Sequence, residues 1–287
     1  MVRLLGKRLF SFLTLFIALV ACLKEPSLNP TPSLNPTGDQ DPRLIKKLTT
    51  RYHDSVLSKT APNADQAITY RDIPFYFLSR VQSSYQYDAQ KRLIRQEVAP
   101  PGSSDPIEYF GASYEYTDNK MIYTHLRSQQ SSTYLLNQQG YVLEHNTYDS
   151  DGYLIRRQQA PGVLVTQTVS EGNVVKQVYQ QQTDRTTTTY EYDLTKNGFT
   201  NPDDTFLGGF PRMGRNNRNL LVKVTQVHES FTGVPSGNPE RTTTTYTYEF
   251  DQQGLVKQQT AYSGKSFISD PKIVDRILQI SNFEFEQ

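Results

Sequence analysis

The sequence predicts an all-β protein, a large antiparallel meander of hairpins that closes into a barrel or a strongly curved sheet. Three observations predict it. Apolar and polar residues alternate with period two over most of the chain beyond residue 70, the pattern of strands with one covered face. Asp, Asn and Gly recur between those runs, where they close hairpins. The composition is that of strands, with 19 Tyr, 14 Phe, no Trp, and Thr and Gln filling the polar positions.

The chain opens differently. Residues 1–8 carry Arg3, Lys7 and Arg8 and no acid, and residues 9–21 (LFSFLTLFIALVA) carry no charge. That apolar run is shorter than the roughly 20 residues a membrane helix needs. A basic start, a short apolar run and a small residue before a cut make a secretory signal over residues 1–21. The cut site, Leu19-Val20-Ala21-Cys22, resembles the lipobox of bacterial lipoproteins. The resemblance implies that the Cys22 thiol is acylated and that Cys22 becomes the first mature residue. Cys22 is the single cysteine of the 287 residues. Once lipidated it leaves no thiol for a disulfide or for thiol chemistry, although the compartment is oxidising.

Residues 22–42 form the lipidated end and a tether. Ser-Leu-Asn-Pro-Thr occurs at 27–31 and again at 33–37. Proline removes donors and favours an extended polyproline backbone, which at about 3.1 Å per residue reaches some 60 Å. Lys24-Glu25 resembles the short export signal of surface lipoproteins in the Bacteroidota. The expected place is the outer membrane, on its periplasmic face or at the cell surface.

The rest, residues 43–287, fits one large β domain. Loss of Arg3, Lys7 and Arg8 takes the 30 basic residues to 27, against 29 acids. A chain so nearly neutral has no electrostatic footprint for nucleic acid. Residues 43–60 read as strand or helix, and the β-branched Thr49 and Thr50 tilt the reading to strand. In 73–88, Phe75, Phe77, Val81, Tyr85 and Tyr87 share one face, and Arg80, Gln82, Ser84 and Gln86 the other. Turns fall at Asp88, Asp118-Asn119, Asn137–Gly140, Asp149–Gly152, Glu171–Asn173 and Asp251–Gly254. Asp184-Arg185-TTTTYEY is repeated 56 residues later as Glu240-Arg241-TTTTYTY, which points to stacked hairpins. In 242–251, Tyr246, Tyr248 and Phe250 oppose Thr245, Thr247 and Glu249. Residues 269–279 predict a short helix, with Asp270 as cap, Pro271 at its first position and a stripe of Ile273, Val274, Ile277 and Leu278. Roughly a dozen strands result, more than an open twisted sheet holds flat.

The hairpins YQYDAQKRLI (85–94), YEYTDNKMI (114–122), YDSDGYLI (148–155) and YEFDQQGLV (248–256) resemble YD-type repeats of bacterial surface proteins. With the lipobox and the Gly-rich loop before Asn219-Leu220, the plan is similar to Bacteroidota lipoproteins described as having a porin-like β-fold. The resemblance implies a barrel or curved sheet without an assigned activity and carries over no catalytic residue. Insertion in the membrane is not expected. A lipid-facing band must be uniformly apolar over about 25 Å, whereas each strand has one apolar face, needed inside. The domain is therefore expected to be soluble and lipid-tethered.

Candidate sites are few. The long irregular stretch 195–219 contains Arg212, Arg215 and Arg218 at intervals of three, with Asp203 and Asp204. Guanidinium forks suit an anion or carboxylate. The competing reading, a surface excursion whose arginines are solvated or pair with the two aspartates, is favoured. Gly209 and Gly214 resemble a phosphate loop, but Arg215-Asn216 replaces the Lys-Ser/Thr that such a loop needs. Asp149-x-Asp151-Gly152 resembles part of a calcium loop but reads as a turn, because Ala160 stands where the last ligand would be. His53, His125, His145 and His228 lack metal spacing and read as strand residues. No metal, cofactor or catalytic constellation emerges.

The leading expectation is a non-enzymatic envelope lipoprotein, a β-rich binding or structural module. It would be held to the membrane through Cys22 and contact a glycan, a peptide or an outer-membrane protein. The alternatives are a glycan hydrolase whose carboxylates converge in the fold, and a carrier of a small apolar ligand.

Overall fold

The computed structural model describes residues 44–55, 67–99, 110–198, 213–231, 239–267 and 275–285. The signal, Cys22, the tether, Asp203, Asp204 and Arg212 lie outside them. Strands follow one another in chain order as β1 (Ile45–Asp54), β2 (Ile68–Tyr70), β3 (Ile73–Tyr87), β4 (Leu93–Ala99), β5 (Phe110–Thr117), β6 (Lys120–His125), β7 (Ser131–Leu135) and β8 (Asn146–Tyr148). They continue as β9 (Leu154–Ala160), β10 (Val163–Ser170), β11 (Asn173–Gln180), β12 (Asp184–Asn197), β13 (Asn219–Ser230), β14 (Glu240–Phe250), β15 (Val256–Phe267) and β16 (Asp275–Phe285).

All of them belong to one 16-stranded sheet, ordered β7-β6-β5-β4-β3-β1-β16-β15-β14-β13-β12-β11-β10-β9-β8, with β2 paired to β3. Every pairing is antiparallel, and first and last strands meet: Leu48 opposes Phe283, and Thr50 opposes Ser281. The expected meander is therefore present, with more strands than the turn count suggested. The sheet is curled and not closed. Among the described residues no ladder joins its end strands β7 and β8; the segments beside them are linked by the bridge Leu136–Val142, a bond from the Leu143 N–H to the Leu135 carbonyl at 2.8 Å and one from the Leu135 N–H to the Glu144 carboxylate at 2.7 Å.

Four turns are built alike. In each, the side-chain oxygen of the first residue accepts two backbone N–H groups: Asp88 from Gln90 and Arg92, Asn137 from Gln139 and Tyr141, Asp149 from Asp151 and Tyr153, Asp251 from Gln253 and Leu255. Their fourth residue is left-handed: Lys91 at φ 59°, Gly140 at 79°, Gly152 at 88° and Gly254 at 78°. Asx side chains satisfy donors that a tight turn strips from the ladder. The Asp149 segment is thus a turn. The duplicated Thr-rich segments are β12 and β14, which flank β13 on either side.

Directly opposed residues of an antiparallel pair share a face. Tyr85, Tyr114, Tyr190, Val165 and Phe283 are buried on one face, while Thr189 and Glu191 on the other are exposed. The aromatic face is therefore the inner one. Toward the end carrying the Asx turns it forms one cluster that includes Ile45, Leu48, Tyr85, Met121, Val142, Met213, Leu220 and Phe283.

Two expectations need correction. Residues 275–279, assigned to a helix by the sequence, belong to β16, and no helix occurs among the described residues. Their apolar residues are held from both sides, Leu278 by His53 of β1 and by Tyr262 of β15, and two ladders override a local helical stripe. Asp270, Pro271, Ile273 and Val274 lie outside the described residues. Second, Phe75 and Phe77 do not share a face with Val81. The register shifts as Tyr52 opposes Ser79 and His53 opposes Phe77. The extra residue, Leu78, is a bulge that flips the preceding segment. Phe75 then meets Tyr262 edge-on at 6.1 Å, and the Tyr70 ring of β2 lies tilted against Tyr262 at 5.6 Å. The β2–β3 hairpin so covers His53 and Leu278 on the outer face.

Candidate functional site

The described end of the long stretch, residues 213–218, is stitched onto two turns. Its Arg215 N–H donates to the Gly152 carbonyl at 2.8 Å and its Arg218 N–H to the Gly172 carbonyl at 2.9 Å. The Asn217 side chain accepts the Val174 N–H at 2.7 Å. Met213 is 3% exposed within the core cluster, and the Asn146 amide approaches its sulfur at 3.8 Å. Gly214 adopts φ +117°, and a Cβ there would stand 3.0 Å from the Leu154 nitrogen and 3.2 Å from the Gly152 carbonyl. Only glycine allows that approach.

Under this segment lies a buried amide pair. Asn173, 1% exposed, accepts the Asn219 N–H at 2.9 Å and donates to the Asn219 Oδ1 at 2.9 Å. Asn219 then donates to the Leu194 and Lys196 carbonyls at 3.2 and 3.1 Å. The pair fixes where β13 begins and ties it to the 171–173 turn and the end of β12.

The arginines of the stretch do not converge. Arg215 and Arg218 are both exposed; the Arg215 guanidinium lies over the Tyr153 ring at 5.6 Å, and Arg218 is tied to a different turn. Arg212 and both aspartates lie outside the described residues. Three histidines are in strands, as expected, but His145 is in the turn before β8 at φ 60°. His53 is buried, makes no hydrogen bond among the described residues, and contacts the Phe77 ring edge-on at 5.7 Å. Burial, and secondarily the Arg51 charge, holds its imidazole below the usual range.

The inner face beyond the aromatic cluster offers a different surface. Gln167 opposes Gln177, which opposes Thr188, then Gln226, Thr242 and Lys265, one residue from each of six consecutive strands. Strands stand about 4.8 Å apart, so amides and hydroxyls repeat at that interval. The Gln167 amide donates to the Gln177 Oε1 at 2.8 Å, and the Thr244 and Ser263 hydroxyls, one step nearer the cluster, bond at 2.7 Å. Lys265 is neutralised by Glu240 at 2.6 Å. Such a row exchanges hydrogen bonds with hydroxylic ligands in either direction. Sequence reasoning missed it, because alternation fixes which residues share a strand face but not which stand abreast across strands.

No protein-family model and no curated protein matches the chain. Among solved structures, a porin-like protein from Bacteroides uniformis superposes with a TM-score of 0.53 at 15% identity, covering 84% of this chain and 98% of that one. The chain therefore shares its β-rich, porin-like fold, and at that identity the likeness speaks for the fold alone.

Proposed function

We propose that the protein is a non-enzymatic cell-envelope lipoprotein, a β-rich binding module that holds a hydroxyl-rich ligand, a glycan, on its inner face. The observation that carries this reading is the row Gln167, Gln177, Thr188, Gln226 and Thr242. A lipid anchor at Cys22 and the Pro-rich tether place the domain at the outer membrane without inserting it. In support, the outer face carries ion pairs, Arg185–Glu229 at 2.8 Å and Lys223–Glu191 at 2.7 Å, where a lipid-facing band would be apolar.

Calorimetric titration of the mature chain with envelope and dietary glycans tests the reading. Binding is expected, and exchange of both Gln177 and Gln226 for Leu is expected to weaken it about tenfold through lost neutral hydrogen bonds. Release of reducing ends by the protein, abolished by one carboxylate substitution, would replace it with the hydrolase alternative. The anchor is tested separately: Cys22→Ala is expected to move the protein from membrane to soluble fractions.

A further inference from the structure

The two ends of the curled sheet differ in what they expose. The turns headed by Asp88, Asn137, Asp149 and Asp251 share one end, because alternate connections of an up-and-down meander fall on the same side. β12 also ends there, where Asn197 opposes Asn219 at the start of β13. Among the described residues seven large apolar side chains are exposed, and four of them stand within a few residues of this rim: Leu194 (60%), Leu135 and Leu143 (45% each) and Phe250 (40%). Apolar residues scattered singly over a surface need no explanation, but several gathered on one rim mark a contact. The Lys196 ammonium lies over the Phe250 ring at 5.3 Å, and the two residues line a cavity of about 360 Å³ with Thr195, Asn197 and Gly254. A Cβ at Gly254 would meet nothing within 4 Å, so this part of the rim is open.

The course of the chain points to the occupant. Tyr87, the last residue before the Asp88 turn, donates its hydroxyl to the Ile45 carbonyl at 2.9 Å, so the chain enters β1 at this same end. Residues 22–43 therefore join the domain at the rim that carries the exposed leucines. A surface linked to a bilayer by such a segment meets it at a high effective concentration, and a few half-exposed side chains then suffice for contact. The rim carries both signs of charge, Lys91 and Lys120 as well as Asp118 and Asp151, all exposed, so attraction to an anionic surface does not direct it. Lys196 can hold its ammonium among headgroups while its stem and the Phe250 ring enter the interface.

We infer that this rim docks end-on against the lipid surface to which Cys22 anchors the chain, with Leu135, Leu143, Leu194 and Phe250 at the depth of about 5–10 Å that interfacial apolar groups reach. This rests on the reading of the domain as lipid-tethered. It leaves the polar row of the inner face on the far side of the aromatic cluster from the lipid, open to a soluble ligand.

The chain has one cysteine and no tryptophan, which permits a direct test. The mature chain is coupled through Cys22 to a maleimide lipid in phosphatidylcholine vesicles, a link that holds whether or not the cell acylates Cys22. A single tryptophan reports either from the docking rim, as Phe250→Trp, or from the opposite end, as Phe231→Trp. Lipids brominated in their acyl chains are expected to quench the first at least about threefold more than the second, with a blue shift on docking that about 0.5 M salt leaves in place. Combined Leu135→Ser, Leu143→Ser and Leu194→Ser changes are expected to cut that quenching about fivefold with an unchanged circular dichroism spectrum, since all three side chains are exposed. Equal quenching at both positions, none at either, or quenching of Phe250→Trp that salt abolishes or the serine changes leave intact overturns the docking. So does a Phe250→Trp emission already blue without vesicles and unmoved by them, because the chain itself then covers the rim. Failure of the anchor reading shows elsewhere, as Cys22→Ala protein that stays with the membrane fraction while the vesicle result is unaltered.

Discussion

Removal of the Asn173 side chain tests whether the buried amide pair organises the start of β13. Asn173→Ala leaves two buried groups without a partner, the Asn219 N–H and the Asn219 Oδ1, each bonded at 2.9 Å in the native protein, and it also removes the bond to the Glu171 carbonyl at the exposed turn. A buried polar group left unsatisfied costs about 1–3 kcal/mol, so a loss of roughly 2–6 kcal/mol follows. That is a large share of the 5–15 kcal/mol typical of whole proteins. Urea unfolding should show a lower midpoint at unchanged slope. Asn173→Asp is the sharper variant. One oxygen still accepts the Asn219 N–H, but the other faces the Asn219 Oδ1, acceptor against acceptor. That conflict raises the folded-state pKa of the new carboxyl, so the deficit is present at neutral pH and shrinks as pH falls through the raised value, where a proton restores a donor. The double variant Asn173→Ala, Asn219→Ala should lose less than the sum of the singles. An Asn173→Ala protein within about 0.5 kcal/mol of the native one, or an aspartate variant whose deficit ignores pH, would refute the reasoning.

Three further outcomes are expected. Lys91 holds the left-handed position that Gly140, Gly152 and Gly254 fill in the sister turns, so Lys91→Gly should stabilise by about 0.5–1 kcal/mol, read as a higher urea midpoint. Gly214→Ala should destabilise by about 1–3 kcal/mol from its φ of +117° alone, with faster proteolysis near residue 213 as the local signature. The His53 pKa is held down in the folded protein, chiefly by burial. Its contribution is therefore present above the unfolded value of about 6.5 and lost as pH falls below it; His53→Leu should flatten the fall in stability between neutral and mildly acid pH.

How much could be read in advance follows from how local each cause is. The Asx turns were legible because Asp88, Asn137, Asp149 and Asp251 bond to N–H groups two and four residues on. The aromatic face of β14 was legible because alternation needs only one strand. The end of the chain was misread because Ile277 and Leu278 suit a helix stripe as well as a strand. What decides between them is β1, more than 200 residues away: the Thr50 and Ser281 hydroxyls that bond at 3.0 Å are 231 positions apart. The bulge at Leu78 depends on where β1 sits, and the 46-residue separation of Asn173 and Asn219 hides their pairing from any window. The arginines of 195–219 stood out by composition, yet Arg215 and Arg218 are spent on separate turns.

The pairing of the first strand with the last also orders events in time. Until β16 has been made, β1 has only one of its two neighbours and β15 has a bare edge. A chain made N-terminus first can form its local hairpins early but cannot assemble the sheet around β1 until β16 arrives. Assembly is thus bound to be a late, whole-chain event limited by a long loop closure. For a polypeptide exported as proposed above, that delay would keep it threadable for the whole of its passage.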